Sequence, residues 1–304
     1  MINHNGKLYA DIFLAGAPKS GSTFLFSALA NHSGICASEP KEPDFYLDRN
    51  NPYRKPEKHL LKKKYQDYFS SLNDHLLHLD GTQLTIYQTD LINTIAHFTK
   101  KPKILFIFRE PAERILSSFR YTSNNLSAVN DMTFSQYVDY LLSGDDEAIK
   151  SHCKNVQAGY SLSNELRFSD YGFYLHKWRE AVGAENIKVF LFEDMKSNTQ
   201  DCYEQICHFL GLQKEPMQAK IDQMNRSVEI KNKRVHYILH KLYGLTGYKV
   251  PFKKQIKQLY GSLQHKKGGQ GPDVTIEIDK LRAYYRPLNE KLAEDFRLNL
   301  STWE

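Results

Sequence analysis

The chain has 304 residues, with 41 Lys plus Arg against 35 Asp plus Glu and a formal net charge of +6. Hydrophobic residues at 41% and aromatics at 12% exclude wholesale disorder, because such a composition buries enough apolar surface to offset the entropy of ordering. No apolar run approaches the roughly 18 residues that a membrane span requires.

The positive charge is uneven: Lys231 to Pro272 carries ten Lys or Arg and no Asp or Glu, more than the whole net excess. Such a segment permits any acidic partner. The N-terminal stretch MINHNGKLYADIFLAG has no charged region ahead of an apolar one, so no secretory signal is expected. Four cysteines, Cys36, Cys153, Cys202 and Cys207, are too sparse for a disulfide framework and form no CxxC pair. They are expected to be small buried hydrophobes in a reducing, cytoplasmic setting.

In chain order, Leu8 to Ala17 reads as a buried strand closed by Gly16 and Pro18, followed by a Gly/Ser turn and a helix with Phe24, Leu25, Ala28 and Leu29 at helical spacing. Asp48 to Tyr68, rich in Lys, Pro and Asn, reads as a surface excursion carrying a basic helix. Lys103 to Phe108 is a nearly all-apolar strand of the kind buried on both faces of a parallel sheet, and Pro111 suits the first turn of the next helix. Ile187 to Phe192 is a third strand, and Thr199 to Leu210 a helix closed by Gly211. Strands alternating with helices predict an α/β fold, a parallel sheet flanked by helices. No linker is evident, so one domain over 1–304 is expected, with a basic helical segment at about 231–267 and the ligand at the carboxyl ends of the strands.

Two stretches carry chemistry. GAPKSGST, Gly16 to Thr23, places backbone N–H groups and hydroxyls at a helix N-terminus, where unpaired donors and the helix dipole favour an anion such as phosphate or sulfate. Gly16 and Gly21 have Walker spacing, but Ser22 stands where a Walker loop needs Lys, and Lys19 lies earlier. In FREPAERILSSF, Arg109 leaves a strand end and Ser117 lies about two helical turns on, a pairing that suits a second phosphate. The plainer reading keeps Arg109 as a strand cap and Arg114 as a surface residue paired with Glu110.

The strand before PKSGSTFL, the strand before REPAERILSSF, and VFLFEDMKSNTQDCYEQICHFLGL, in this order and spacing, resemble the sulfotransferase superfamily that uses 3′-phosphoadenosine 5′-phosphosulfate (PAPS). KEPDFYLD and KKGGQGPDVTIEIDKLRAYYRPLNEKLAEDF are closer to the glycan (heparan sulfate type) branch and its bacterial relatives than to the cytosolic phenol and steroid branch. The resemblance runs from about Ile12 to Phe296. It implies a P-loop-like fold, PAPS as co-substrate and no metal. It also implies that Lys19, Ser20, Gly21, Ser22 and Thr23 cradle the 5′-phosphosulfate, and that Arg109 and Ser117 bind the 3′-phosphate. The loop Lys266, Lys267, Gly268 and Gly269 would close over the nucleotide, although this chain has Lys-Gly-Gly where the glycan branch usually has Lys-Gly-Arg.

By the same resemblance Glu42, ahead of Phe45 and Tyr46, is the general base, and Lys19 stabilises the leaving phosphate. Cytosolic members use a His ahead of the second motif; here DGTQLTIYQTD has none, and it brings Gln83 and Thr85 where glycan enzymes tend to carry a Lys. His75 and His78, interleaved with leucines, read as structural, with Asp44, Asp80 and His78 as further candidates for the base. The expected acceptor is a carbohydrate or small natural product, with no nucleic acid and no membrane span. The alternatives are a P-loop kinase of a small molecule, and a non-enzymatic polyanion binder using the tyrosine-interleaved basic segment.

Overall fold

The most continuously apolar segment, Lys103–Phe108, is buried from Ile104 onward and forms an inner strand of a parallel sheet, as its composition predicts. The computed structural model describes residues 1–218 and 273–303. The basic segment, with Lys266, Lys267, Gly268 and Gly269, lies outside the described residues.

The described contacts fall into two compact units. Among the described residues the larger comprises 1–114, 167–218 and 284–303; the smaller comprises 115–166 and 273–283. In the larger unit a hairpin of β1 (Ile2–His4) and β2 (Lys7–Tyr9) precedes β3 (Ile12–Gly16), α1 (Ser22–Ala30) and β4 (Ile35–Ala37). The single turn α2 (Glu57–Leu60), β5 (Leu77–Asp80), α3 (Thr89–Ile95), β6 (Lys103–Phe108) and α4 (Pro111–Arg120) follow. The sheet order is β4, β5, β3, β6, β7 (Ile187–Leu191), with every pair parallel. Its carboxyl ends therefore deliver the loops after β3, β4, β5, β6 and β7 to one edge, and β3 is the central strand, with β4 and β5 on one side and β6 and β7 on the other.

The predicted strand over Leu8 to Ala17 is two strands, because the chain changes pairing partner at Ala10 and Asp11. There the Asp11 N–H bonds the His78 carbonyl at 3.0 Å, and the Asp11 carboxylate accepts from the His78 N–H and contacts Nδ1, both at 3.0 Å. Burial works to raise the Asp11 pKa, but the hydrogen bonds to His78 and to the Met1 amine outweigh it and hold the carboxyl near 2. His78 is thus a buried structural residue, as its leucine-rich surroundings imply. The predicted basic helix in the excursion shrinks to α2, which buries nothing.

After β7, α10 (Phe192–Ser197) and α11 (Thr199–Leu210) pack onto one face of the sheet, and Gly211 ends α11. Cys36, Cys202 and Cys207 are buried and all four cysteines are free. On β6, Phe106 meets the fully buried Trp178 of α9 (Tyr171–Val182) edge-on at 6.1 Å. The Trp178 indole also donates to the Ile86 carbonyl at 3.1 Å.

The smaller unit is helical, with α5 (Phe134–Ser143), α6 (Asp146–Ser151) and α7 (Val156–Ser163). Phe119 stacks on Tyr137 at 4.9 Å, and the Tyr137 hydroxyl donates to the Leu162 carbonyl. The short α8 (Glu165–Phe168) and the long α12 (Thr275–Phe296) complete the helices of the described residues. None of these helices is long and apolar enough to cross a membrane. Trp178→Ala, which deletes both the packing and the indole bond, is expected to cost roughly 3–5 kcal/mol, measured by urea denaturation.

Candidate functional site

The turn from β3 into α1 is built on two residues with left-handed backbone, Lys19 (φ 68) and Gly21 (φ 87). Gly21 is the N-cap of α1 and offers no side-chain cap, so first-turn N–H donors remain for a ligand. A Cβ on Gly21 would lie 3.0 Å from Met195 Cε and from the Phe192 ring, so the turn rests directly on α10. Ser20 is fully buried, and its hydroxyl has no hydrogen-bond partner among the described residues. Burying an unsatisfied hydroxyl is costly, and an anion in the turn would satisfy it. An orphaned hydroxyl, open helix donors and Lys19 together suit an anionic group such as phosphate or sulfate.

Glu42 enters from the loop after β4. Its Oε1 accepts from Lys41 Nζ at 3.0 Å and from Gln83 Nε2 of the loop after β5. The same ammonium reaches Ser22 Oγ at 3.2 Å and Thr23 Oγ1 at 3.4 Å. Lys41 therefore joins the predicted base to the predicted anion loop. Sequence reasoning passed over Lys41, although it stands next to Glu42 in KEPDFY; Gln83 was visible only as a departure from a pattern. Burial pushes the Lys41 pKa down, and the neighbouring Glu42 pulls against that shift.

The aromatic pair after Glu42 anchors this loop. Tyr46 stacks on Tyr9 at 4.8 Å and donates to the Leu8 carbonyl at 2.6 Å, while Phe45 and Tyr46 both pack on Tyr65. Tyr65 in turn donates to Asp80 Oδ2 at 2.8 Å, and the Thr82 N–H donates to Asp80 Oδ1 at 2.8 Å. Burial raises the Asp80 pKa against these bonds. Burial, with the charge of Glu42 adding, pushes the Asp44 carboxyl up to about 7.

Arg109 follows β6. Its guanidinium pairs with Glu113 at 3.0 Å and lies 5.2 Å from the Phe192 ring centroid. The Glu110 carboxylate caps α4 by accepting from the N–H groups of Ala112 and Glu113, and the Glu110 backbone N–H donates to Glu193 Oε1 at 3.2 Å. The surface reading of Arg114 does not hold: Arg114 is 1% exposed and donates to Ser169 Oγ at 3.0 and 2.6 Å. No local pattern announces this, because Ser169 lies 55 positions away. Ser117 belongs to the smaller unit and is half-buried; beside it Ser118 is buried and donates to Glu165 at 2.5 Å. Lys19, Ser20, Gly21, Ser22, Thr23, Glu42 and Arg109 all lie in the larger unit, on loops at strand carboxyl ends or at the start of α1.

A family model described as the sulfotransferase domain matches residues 9–250. Sulfotransferase 6B1 of Danio rerio is 21% identical over 208 residues, covering 66% of this chain and 57% of that protein. Sulfotransferase 2A1 of Rattus norvegicus is 22% identical over 119 residues, covering 39% and 35%. The chain thus spans only about a third to somewhat over half of the length of these relatives. A sulfotransferase structure from Alicyclobacillus acidocaldarius shares the fold, with a TM-score of 0.62 at 16% identity over 97% of this chain and 99% of that one.

Because the Asp44 pKa is raised in the fold, its contribution to stability is complete below the ordinary carboxylate range and is lost as pH rises through about 7. Asp44→Asn removes that loss. The melting temperature of the variant relative to the parent is expected to rise steadily from about pH 4 to about pH 8, followed by scanning fluorimetry.

Proposed function

The chain belongs to the sulfotransferase domain family, and on that premise we propose that it moves a sulfuryl group from PAPS to a hydroxyl or amine of a carbohydrate or small natural-product acceptor. The observation that carries this reading is the Lys41 ammonium, which holds Glu42 beside the hydroxyls of Ser22 and Thr23 at the start of α1. A proton acceptor and an anion loop thereby share one edge of the sheet.

PAPS supplies an activated sulfuryl group on a phosphate leaving group. Lys19, Ser20, Gly21, Ser22 and Thr23 are the residues we assign to its phosphosulfate end. The Ser20 hydroxyl gains a partner there that it lacks in the described residues. Arg109 is assigned to the 3′-phosphate: its planar fork can exchange the half-exposed Glu113 carboxylate for phosphate oxygens. Ser117 is the second proposed contact for that phosphate, and Lys266 to Gly269 the proposed closing loop.

Glu42 is about a third exposed on its side chain, so it can meet both Lys41 and an incoming acceptor. As the acceptor oxygen or nitrogen attacks sulfur, its proton passes to Glu42. The new bond to sulfur forms while the bond from sulfur to the phosphate oxygen breaks. The electron pair leaves with the phosphate, where Lys19 meets the developing charge. Gln83 donates to the same Glu42 oxygen as Lys41 and so holds the carboxylate in one orientation.

Glu42→Gln is expected to lower kcat by about 10²–10⁴-fold while leaving the affinity for the nucleotide product, measured by calorimetry, nearly unchanged. Lost product binding with an unaltered chemical step would move the base elsewhere. Lys19→Ala is expected to abolish most turnover with the melting temperature preserved; full transfer of labelled sulfate by this variant would remove Lys19 from the leaving-group role.

A further inference from the structure

Lys41 is held in a place that the fold alone does not favour. Its carbonyl accepts from the Gly81 N–H at 3.1 Å and from Ser38 Oγ at 2.8 Å, which pins the backbone between the ends of β4 and β5. The side chain then runs across Gly81: a Cβ at Gly81 would lie 2.9 Å from Lys41 Cγ and 2.5 Å from the Phe26 ring. The absence of a side chain at Gly81 thus opens the path that carries the ammonium to the start of α1.

There the ammonium faces the positive end of a helix dipole, where a cation is ordinarily disfavoured and an anion favoured. Its side chain is only 17% exposed, so water screens this cost poorly. Glu42 balances one side of the ammonium. On the other side Lys41 meets two neutral hydroxyls, next to a turn whose Ser20 hydroxyl is buried without a partner. A lysine has three N–H donors in total. They serve Ser22, Thr23 and Glu42, of which only Glu42 is charged.

We propose that Lys41 is a catalytic residue for the transferred group: it turns donors from Ser22 and Thr23 onto the sulfuryl oxygens while its remaining donor keeps Glu42 aligned with the acceptor. The inference rests on the sulfuryl-transfer reading above and adds a second cation to it, distinct from Lys19. Lys19 meets charge on the leaving phosphate, whereas Lys41 meets charge on the oxygens of the moving group. One side chain then places both the electrophile and the base, so their separation is set by a single ammonium.

The test compares Lys41→Met, which keeps the stem and deletes the charge, with Gly81→Ala, which obstructs the stem and leaves Lys41 in the sequence. Calorimetry without acceptor measures binding of PAPS and of its product, which lacks the sulfuryl group. Lys41→Met is expected to weaken PAPS binding at least tenfold, to change product binding less than about twofold, and to lower kcat by about 10²–10³-fold. Gly81→Ala is expected to show the same pattern with smaller losses. Equal weakening of PAPS and product would overturn the proposal and make Lys41 a support for the loop; unchanged PAPS binding and kcat in Lys41→Met would overturn it outright. Failure of the underlying reading looks different, because the parent chain itself would then bind neither nucleotide.

Discussion

The site depends on one tight contact, the seating of Gly21 against Phe192 and Met195. A left-handed residue with no Cβ lets β3 turn into α1 within five residues, with the first turn of the helix aimed at the carboxyl edge of the sheet. Any side chain there would have to displace α10, which is packed into the core through Phe192 and Met195. The turn between β3 and α1 is therefore seated directly on the hydrophobic layer beneath it. Loops presented by a rigid sheet can hold donors where charge develops, without reorganising during the reaction.

Around that turn several ionisable groups are partly or wholly desolvated. Lys41 and Glu42 form a partly buried pair, and burial lowers the Lys41 pKa even with Glu42 beside it. Asp44 and Asp80 add further carboxyl groups whose pKa values are raised. Desolvating so many ionisable groups opposes folding, and here the cost falls on one edge of the sheet. The opposite end is electrostatically settled: Asp11 and His78 satisfy one another there, and the Asp11 pKa is lowered to about 2. The two clusters thus differ in the direction of their carboxyl shifts, raised at the carboxyl edge of the sheet and lowered at the opposite end.

The net positive charge with which the sequence begins does not account for this site. Within the described residues the cations that matter are single, buried or half-buried side chains: Lys19, Lys41, Arg109 and Arg114. Each takes its meaning from what it touches. Arg114, read from spacing as a surface helix residue, is instead a buried donor to Ser169. Arg109 shares its guanidinium with Glu113 and the face of Phe192. The charge count of the basic segment is a property of residues outside the described structure.

By itself the sequence determined the α/β architecture, the Gly/Ser turn between β3 and α1, β6, β7, and α11 with its terminating Gly211. These were legible because they are local: apolar runs, helical spacing and Gly/Ser turns act over a few residues. Strands β4 and β5 have only three and four residues, too short for periodicity to reveal, and the break at Asp11 depends on His78, 67 positions away. Glu42 could be singled out from the motif it resembles, but its surroundings could not. Only the tertiary structure brought Lys41 to Ser22, 19 positions earlier, and Gln83 to Glu42, 41 positions earlier. The parallel sheet gathers loops that are distant in sequence at one edge, and hydrogen bonds across that edge carry no trace in the spacing of the residues that make them.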